Sequence, residues 1–355
     1  MNNIDELSKF INELFCKSRL EFEFYTLSIE RGPAYYKSYK NFFSNKKIPF
    51  RYSLFWLEYL NSYFSEKNVN SLSFLYVFIC KGEVIGYWPL TISYDDDGFS
   101  LTTFGYSIYE PFFTNPLENR FLIEKCAILL LDIKKSNIFY RIDVSSNLYS
   151  GSPLNKFWNV LLSQGSIYHY VSYDLDIDLT LDLSEIKSCF RKSYKPIVNR
   201  KHENLTYIIY DSKNITIDYW LEIKNLHHHV SGRRTRSDNT WNLQYEMIKK
   251  GYAFSTAIYN NKKIIGAALF GVSMLDAYYF IGAYERDMSN LNLGHQSIFM
   301  AIKKSKEMNV EKLNLGSFSV PSIYNKLSDK ELAIEQFKKG FATSFNAITT
   351  FGLIK

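Results

Sequence analysis

One short segment occurs twice in the sequence, about half a chain apart. Residues 74–86 read FLYVFICKGEVIG and residues 254–266 read FSTAIYNNKKIIG, in a chain of 355 residues. In each copy an apolar run leads through a polar turn into a second apolar run that ends in Ile-Gly, a pattern typical of a β-hairpin. We interpret the pair as a tandem duplication, with a boundary near residues 178–186. The predicted domains are an N-terminal lobe, 1–180, and a C-terminal lobe, 181–355.

The rest of the chain alternates between the two secondary-structure patterns. Runs rich in β-branched and aromatic residues predict strands: SLSFLYVFIC, VIGYWPLTI, IFYRIDV, AFSTAIY, IIGAALFGV, AYYFIGAY and SFNAITTFGLI. Runs with helical apolar spacing predict helices: FWLEYLNSYF, RFLIEKCAILLLDI, TWNLQYEMIKK, SIFMAIKKSKEM and KELAIEQFKK. Because strands and helices alternate, with hairpins between some strands, we predict an α/β (α+β, mixed-sheet) fold.

The composition is that of a globular protein with a moderate basic excess. Hydrophobic residues make up 46% and charged residues 22%, and the formal net charge is +6. This excess suits phosphate-bearing ligands but is too small to predict DNA binding. The 28 Tyr and 28 Phe residues either fill aromatic-rich cores or form stacking surfaces for a substrate.

The sequence gives three indications of a cytoplasmic protein. No uninterrupted apolar stretch is long enough to span a bilayer, so no transmembrane segment is expected. The first residues, MNNIDELSKFINELF, lack the basic region and cleavage site of a signal peptide. The four cysteines follow neither metal-type nor disulfide-type spacing, which favours a reducing compartment.

A helix mouth in the second half has the chemistry of an anion site. The segment NLNLGHQSIFMAIKKSKEM, from Asn290, follows an aromatic strand-like run and places an Asn/Gly turn at the start of a helix. Backbone N–H groups at a helix N-terminus lack partners in the helix and, with the helix dipole, favour phosphate. The candidate donor-binding residues here are Leu293, Gly294, His295 and Gln296. The alternative is that Gly294 only forms the turn.

The order strand, strand, Gly-containing loop, helix, strand resembles the GCN5-related N-acyltransferase (GNAT) fold. More specifically, the chain resembles the Fem-type transferases, which consist of two GNAT-like lobes and attach amino acids from aminoacyl-tRNA to peptidoglycan precursors. The resemblance covers roughly residues 50–355. It rests on the half-chain repeat, on FRKSYKPIVNRKHENL, and on FKKGFATSF following LNLGSFSVPSIYNKL. It implies that the C-terminal lobe holds the donor and the N-terminal lobe holds much of the acceptor.

Two departures leave the donor open. Gly294 lacks the fuller glycine loop of the members that use coenzyme A, and no coiled-coil insertion for tRNA is visible. The resemblance therefore implies acyl-CoA or aminoacyl-tRNA as co-substrate, with no tightly bound cofactor. Similar lobes also occur in acyltransferases of surface-polysaccharide clusters. The expected acceptor is a nucleotide-sugar or a lipid-linked glycan or peptide precursor, and tRNA is a further candidate partner.

Phe337-Lys338 matches the aromatic-lysine pair of the Fem-type C-terminal motif. Transfer of an acyl group to an amine passes through a tetrahedral oxyanion, which a fixed cation stabilises. The resemblance implies this role for Lys338, with Phe337 beside the donor. The alternative is structural: Lys338 lies in the last turn of a helix, where cations are favourable, and Gly340 terminates the helix at C′.

Two basic segments are candidates for substrate binding. The first carries Arg191, Lys192 and Tyr194, and basic residues interleaved with aromatics suit phosphates; the alternative is a solvated helix face. Because Pro196 disfavours helical geometry in the preceding residue, we expect a kink or break at Lys195. The second is the loop with Arg233, Arg234 and Arg236, whose guanidinium groups suit phosphate or carboxylate, followed by a helix capped by Ser237 or Asp238.

The triplet His227, His228 and His229 does not predict a metal site. Successive side chains of a helix diverge by about 100°, so the three imidazoles cannot face one ion.

A general base, if the enzyme needs one, would come from residues near the helix mouth. The sequence offers Glu285, Asp287 and His295, and its spacing does not choose among them; we take Glu285 as the first candidate. In the N-terminal lobe, FGYSIYEPF supplies Tyr106 and Tyr109 as the matching aromatic loop.

The function predicted from the sequence is an N-acyltransferase that moves an acyl or aminoacyl group onto an amine of a cell-envelope or surface-polysaccharide precursor. One alternative is an acetyl-CoA-dependent N-acetyltransferase of an amino sugar. An alternative of another class is a non-catalytic RNA- or phosphoglycan-binding protein. That protein would bind through Arg191, Lys192 and Arg233 with steep salt dependence.

Overall fold

The computed structural model describes residues 3–17, 22–26, 48–68, 70–145, 156–163, 168–200, 202–319 and 326–353. The chain divides into two compact units. Unit 1 comprises Met1–Lys46, Leu60–Ser172 and Ile348–Lys355, and unit 2 comprises Lys47–Tyr59 and Tyr173–Ala347. The predicted lobes, 1–180 and 181–355, are simpler than this division, which assigns a short N-terminal segment to unit 2 and the C-terminal residues to unit 1.

The described helices and strands are as follows. The helices are α1 (Ile4–Lys17), α2 (Leu54–Ser65), α3 (Arg120–Lys135), α4 (Lys156–Ser163), α5 (Leu183–Cys189), α6 (Tyr194–Asn199), α7 (Ile217–Ser231), α8 (Asp238–Lys249), α9 (Leu293–Glu307) and α10 (Asp329–Lys339). The strands are β1 (Phe22–Thr26), β2 (Ser71–Cys80), β3 (Glu83–Asp95), β4 (Gly98–Thr102), β5 (Phe112–Phe113), β6 (Phe139–Ser145), β7 (Tyr168–Asp178), β8 (Leu205–Tyr210), β9 (Ala253–Asn260), β10 (Lys263–Val272), β11 (Asp276–Tyr284), β12 (Lys312–Ser319) and β13 (Ser344–Gly352). Most ends of the predicted runs lie within two residues of these elements, the usual uncertainty of element ends. β3 continues three residues beyond its predicted run, and α9 begins four residues before its own.

Unit 1 is built on an antiparallel meander that ends in a parallel pair. β1 pairs with β2, β2 with β3 and β3 with β4, all antiparallel, and β4 then pairs with β6 in parallel. Helix α3 makes the crossover between β4 and β6, as a parallel connection requires. The end of β13 adds to the free edge of β6 in antiparallel fashion. The core of this unit packs α1, α3 and α4 against the strands, with Trp88 and Phe157 fully buried.

Unit 2 repeats this topology. β8 pairs with β9, β9 with β10 and β10 with β11, all antiparallel, and β11 pairs with β12 in parallel across α9. The core includes the inward face of α9, with Ile298 and Ile302 at zero exposure. β7 lies beside β12.

A bulge at the same place in both hairpins supports the duplication. In unit 1 Phe78 pairs with Gly86 and Ile79 pairs with Val84, which leaves Ile85 as the extra residue of β3. In unit 2 the register shifts in the same way and Ile265 is the extra residue of β10. Because a bulge leaves one strand residue unpaired and bends that strand, its recurrence at equivalent positions shows that the two hairpins share their geometry as well as their pattern.

The break in the basic segment lies before Lys195 and not at it. Helix α5 ends at Cys189 and α6 begins at Tyr194, so the break is at residues 190–193 and Lys195 is helical. The prediction at Lys195 was wrong because Pro196 occupies the first turn of α6. A proline is tolerated there, since the N–H groups of the first turn have no acceptor within the helix.

Within the described residues, every helix is too short or too polar to cross a bilayer.

Candidate active site

Strands β11 and β12 separate after about a third of their length. Their parallel pairing covers Asp276–Tyr278 against Lys312–Asn314 and stops there, although both strands continue. Past this point β11 carries a bulge, because Leu269 of β10 pairs with Ile281 and Phe270 pairs with Tyr279, which leaves Phe280 as the extra residue. The bulge bends β11, and the backbone groups of the separated segments are not used in a ladder with one another.

The equivalent place in unit 1 is closed by the chain itself. After Thr102 the backbone makes a turn through Phe104 and Gly105, both with positive φ. It returns at Ile108, which bridges Val144 of β6, donates its N–H to Asp143 O at 2.6 Å and accepts one from Ser145 N at 3.1 Å. Among the described parts of the two repeats, the open strand pair therefore belongs to unit 2.

Lys338 lies beside the separated part of β12. Gly316 has a φ of +92°, in the region that favours glycine, and an ideal Cβ built on it would stand 3.2 Å from Lys338 Nζ. On the β11 side, Lys338 Nζ lies 5.1 Å from the centroid of the Tyr279 ring, at cation–π distance. The last turn of α10 thus places the Lys338 ammonium at the point where β11 and β12 separate.

The surroundings of Lys338 favour its neutral form without making it dominant at neutral pH. Burial, the largest effect, together with the positive charge of Arg51, lowers the pKa of Lys338 to about 8, against the opposing effect of Glu335. The side chain is therefore still mainly an ammonium at pH 7. A partly desolvated cation interacts with a developing negative charge more strongly than a solvated one.

The mouth of α9 is built as an N-terminal turn with a left-handed cap. Asn292, the N-cap, has a φ of 54°, and its carbonyl accepts the N–H of His295 at 2.9 Å. The Leu293 side chain is buried in a small core with Ile258 and Ile265. An ideal Cβ on Gly294 would lie 3.1 Å from Phe337 Cζ. Gly294 and Phe337, both predicted to bind the donor, are thus in contact.

An aromatic cluster surrounds His295. The centroid of its ring lies 4.4 Å from the ring centroid of Tyr194 and 4.9 Å from that of Phe337, both in edge-on geometry. The ring centroid of Phe341 is 5.6 Å away. Burial, helped by the charge of Arg191, lowers the pKa of His295 to about 4. The imidazole is therefore neutral at pH 7 and does not supply a cation to a phosphate, and its Nε2 is buried without a hydrogen-bond partner in the described structure.

Gln296 performs a structural task in this arrangement. Its Nε2 donates to the carbonyls of Ile197 at 2.7 Å and Arg200 at 2.8 Å. These carbonyls lie at the C-terminal end of helix α6, where the Ile197 carbonyl also accepts the backbone N–H of Arg200 at 3.0 Å. The amide nitrogen predicted to contact a donor is thus occupied in joining α9 to α6.

Arg191 and Tyr194 lie against the end of α10. Arg191 donates its backbone N–H to Gly340 O at 2.8 Å and its Nη2 to Gln336 O at 3.0 Å, and its guanidinium lies 5.1 Å from the Tyr194 ring centroid. An ideal Cβ on Gly340 would be 2.2 Å from a Tyr194 ring atom. Helix α10 does end at Gly340, its C-cap, but with a right-handed φ of −66° instead of the left-handed one of a C′ glycine. Glycine stands here because the tyrosine ring needs the space. Lys192 is exposed.

The arginines of the basic loop after α7 differ in their contacts. Arg236 donates to Tyr59 Oη at 2.9 Å and lies 3.2 Å from His227 Nε2. Arg234 pairs with Asp238 at 2.8 Å, and Arg233 is exposed. The expected cap on the following helix is Ser237, whose hydroxyl accepts the N–H of Thr240 at 3.2 Å.

Two carboxylates have the surroundings of candidate bases. Glu285 is largely buried, with His229 Nε2 at 3.4 Å and Lys263 Nζ at 3.8 Å. Glu58, which the sequence did not single out, has its pKa raised by burial to about 7 against the effect of Lys250. The carboxylate whose charge affects the pKa of Lys338 is that of Glu335, and neither Glu58 nor Glu285 is among the charges that do so. The structure therefore does not choose between Glu58 and Glu285 as a base.

Tyr106 and Tyr109 lie in the unit 1 turn that closes the β4–β6 pair. Tyr106 is 51% exposed, and its backbone exchanges two hydrogen bonds with Thr103, at 2.9 and 3.0 Å. The carbonyl of Tyr109 accepts Trp88 Nε1 at 2.6 Å.

The three histidines of α7 diverge. His227 is buried near Trp241, and burial followed by the charges of Arg236 and His228 lowers its pKa to about 4. His229 turns to Glu285. Within the described residues, no three His, Cys, Asp or Glu side chains are grouped to hold a metal ion.

The structure contains a buried polar network next to the separated strands that was not predicted from the sequence. It joins Arg51, Asp174, Asp176, Lys312 and Asn314 by hydrogen bonds and ion pairs of 2.7 to 3.3 Å. The sequence did contain one indication of this network. The segment YDLDIDLTLDL carries Asp174 and Asp176 at alternate positions of an apolar strand, and buried carboxylates require partners. Those partners lie far away in the sequence and could not be named from it.

Solved structures share the fold of this chain. FemX is similar with a TM-score of 0.62 at 12% identity, over 92% of this chain and 97% of FemX. The C-terminal domain of a proposed lysylphosphatidylglycerol synthetase from Agrobacterium fabrum is similar with a TM-score of 0.53 at 12% identity, over 76% of this chain and 82% of that one. L-PGS from Bacillus licheniformis is similar with a TM-score of 0.52 at 10% identity, over 83% and 85%.

The sequence matches no protein-family model, and no curated protein is significantly similar to it. The similarity therefore lies in the fold, at identities of 10–12%. The chain has the fold of FemX, so the predicted resemblance is confirmed at the level of the fold, and so is the predicted α/β class.

Proposed function

We propose that the protein is an N-acyltransferase that moves an acyl or aminoacyl group from an activated donor onto an amine of a cell-envelope or surface-polysaccharide precursor. One observation carries the proposal: the partly desolvated ammonium of Lys338 lies beside Gly316, where β11 and β12 separate. The shared fold with FemX and with proteins named for lysylphosphatidylglycerol synthesis supports the same class of chemistry.

In the proposed reaction the acceptor amine attacks the donor carbonyl carbon and forms the new C–N bond. The carbonyl π electrons move to oxygen, and Lys338 donates a hydrogen bond to the resulting oxyanion. Collapse of the intermediate breaks the bond between the carbonyl carbon and the leaving group, which departs as a ribose hydroxyl or a thiol. The proton lost by the amine balances the one gained by the leaving group, either directly or through water or a base.

The helix mouth at Gly294 is proposed as part of the donor side. It contacts Phe337, the neighbour of Lys338, and backbone N–H groups of a first helical turn suit the phosphate that both donor classes carry. Arg191, Lys192, Arg233 and Arg234 are proposed to contact anionic parts of the substrates. Residues 1–180, with Tyr106 and Tyr109, are proposed as the acceptor side.

The test compares donors and uses Lys338 as the internal reference. Purified wild-type protein and Lys338→Met are incubated with radiolabelled aminoacyl-tRNA or acetyl-CoA, together with amine-bearing nucleotide-sugars or peptidoglycan precursors, and product is separated by chromatography. We expect transfer from one donor class and a decrease of about 100- to 1,000-fold in Lys338→Met, the usual effect of removing one oxyanion donor. Calorimetry with coenzyme A identifies the donor class independently.

Two results would contradict the proposal. Equal transfer by wild type and Lys338→Met would remove Lys338 from the mechanism. No transfer with either donor, together with RNA binding that weakens steeply with salt and with Arg233→Gln, would favour the non-catalytic alternative.

A further inference from the structure

Arg51 belongs to unit 2 although it lies far from the rest of that unit in sequence. It is the middle residue of a 3-10 turn, Phe50–Tyr52. Phe50 anchors this turn, since its backbone N–H donates to Asp276 Oδ1 at 2.6 Å. Its ring occupies the space above Gly271, where an ideal Cβ would be 1.9 Å from Phe50 Cζ. The backbone of Arg51 is therefore held at one place over the sheet.

The guanidinium of Arg51 is shared between β7 and β12. Its Nη2 donates to Asp174 Oδ1 at 3.0 Å and to Asn314 Oδ1 at 2.9 Å, and the group lies 4.7 Å from the Tyr278 ring centroid. The side chains of Arg51 and Asp174 are only 13% and 6% exposed. A buried ion pair with additional hydrogen bonds is rigid, and loss of one partner leaves an uncompensated charge.

The side chain of Asn314 connects Arg51 to the backbone of Gly316. Its Oδ1 also accepts the backbone N–H of Gly316 at 2.8 Å, and its Nδ2 donates to Asp176 Oδ1 at 2.7 Å. The amide is therefore fixed from both ends. Its oxygen fixes the N–H of the residue whose left-handed conformation faces Lys338 Nζ.

We propose that Arg51 is a positioning residue for Lys338: through Asn314 it fixes the backbone at Gly316 beside the ammonium. This inference rests on the proposed function, because it concerns the charged group that the proposal makes catalytic. Nothing in the sequence near Lys338 indicates it, since residues 51 and 338 are brought together only by the fold.

The charges around Lys338 determine the sign of the expected effects. Glu335, from the same helix, raises the pKa of Lys338, and Arg51 lowers it; burial lowers it most. Other charged groups lie near Arg51. Asp174 forms an ion pair with it, Lys312 forms one with Asp176, and Asp276 accepts the N–H of Phe50. Removing the Arg51 charge raises the pKa of Lys338, and removing the carboxylate that offsets Arg51 lowers it.

The experiment follows the Lys338 ammonium directly and needs no substrate. Protein labelled with [13Cε]lysine is titrated by NMR, and the Lys338 signal is identified by its absence in Lys338→Arg. Wild-type Lys338 is expected to titrate near 8, well below ordinary lysines at about 10.4. The midpoint should rise in Arg51→Met, stay near the wild-type value in Arg51→Lys, and fall in Asp174→Asn.

Each outcome decides the inference. An unchanged Lys338 midpoint in folded Arg51→Met overturns it, and so does an upward shift in Asp174→Asn. If Arg51→Met does not fold, Arg51→Lys and Asp174→Asn carry the same test, with a downward shift expected only in the second. Folding is monitored by near-ultraviolet circular dichroism.

Transfer kinetics separate this inference from the proposed function. Arg51→Met should lower kcat on the order of 10- to 100-fold with little change in KM, because it misplaces a transition-state contact. If Lys338→Met retains full activity, the proposed function of Lys338 fails although the NMR shifts can still occur. If Lys338 is essential and Arg51→Met leaves both midpoint and kcat unchanged, only the role of Arg51 fails.

Discussion

Gly316 and Lys338 are packed so closely that a side chain at position 316 would press on the Lys338 ammonium. An ideal Cβ on Gly316 would be 3.2 Å from Lys338 Nζ, and the φ of +92° at Gly316 is one that L side chains rarely adopt. The conformation of β12 and the position of a half-buried cation are therefore linked at one residue. This link makes the Lys338 site testable by substitutions that leave its charged groups in place.

Gly316→Ala should impair transfer beyond its effect on stability. The added methyl group strains the backbone by about 1–3 kcal/mol and displaces the ammonium, so we expect a decrease in rate on the order of 10- to 100-fold. Gly82→Ala is the matched control, because Gly82 has a φ of +79° with nothing within 4 Å of an ideal Cβ. Thermal unfolding and initial rates are measured for both. Equal rates in the two variants at matched stability would contradict the link.

Lys338→Met should make the protein more stable and less active. Burial lowers the pKa of Lys338 to about 8, so the charged form is disfavoured in the folded state and the variant gains about 1–3 kcal/mol in free energy of unfolding at pH 7. Chemical denaturation measures this gain, and the transfer assay measures the loss. Lys339→Met is the neighbouring control, since Lys339 Nζ lies over Phe318 at 4.3 Å. A destabilised Lys338→Met would show that the cation is structural.

The pH dependence of transfer should have an alkaline limb set by Lys338. As pH rises through about 8, the ammonium loses its proton and the rate falls. Stability changes in the opposite direction: between pH 8 and about 10.4 the unfolded chain binds more protons at this residue, so the free energy of unfolding rises with pH. The stability advantage of Lys338→Met should shrink over the same window. A rate that stays constant from pH 7 to 10 would contradict the assignment.

His295→Phe should reduce the acid sensitivity of the fold. The pKa of His295 is lowered to about 4, so this residue stabilises the protein above about 6.5 and the stabilisation is lost as pH falls from there to 4. Phenylalanine keeps the ring contacts with Tyr194 and Phe337 and removes the titration. Thermal unfolding between pH 7 and 4 should therefore change less than in wild type. The exposed His229 provides the control, as His229→Gln.

Gln296→Met should destabilise the protein through α6. The substitution leaves the carbonyls of Ile197 and Arg200 without the amide that now donates to both, and we expect a loss of about 1–3 kcal/mol. Gln336→Met, at an exposed side chain, should be close to neutral. Unchanged stability of Gln296→Met would instead favour the sequence-based role of Gln296 in donor binding.

By itself, the sequence determined the repeated architecture. A β-hairpin and an amphipathic helix are encoded by residues a few positions apart, so the period of apolar residues identified the strands, the helices and the second copy of FLYVFICKGEVIG. The cap of helix α8 was narrowed in the same way to Ser237 or Asp238, and the structure shows that it is Ser237. Local patterns were less reliable where a neighbour from elsewhere decides the outcome. Gly340 is a glycine because Tyr194 needs its space, and Gln296 is occupied by α6.

Only the tertiary structure decided how the site is assembled. Arg51, Asp174, Asn314 and Lys338 come from four separated parts of the chain, and each is unremarkable in its own segment. Their hydrogen bonds depend on which strands become neighbours and where β11 bends away from β12. Pairing of side chains over such separations is fixed by the path of the whole backbone, whereas a sequence pattern reports only on the few residues around it.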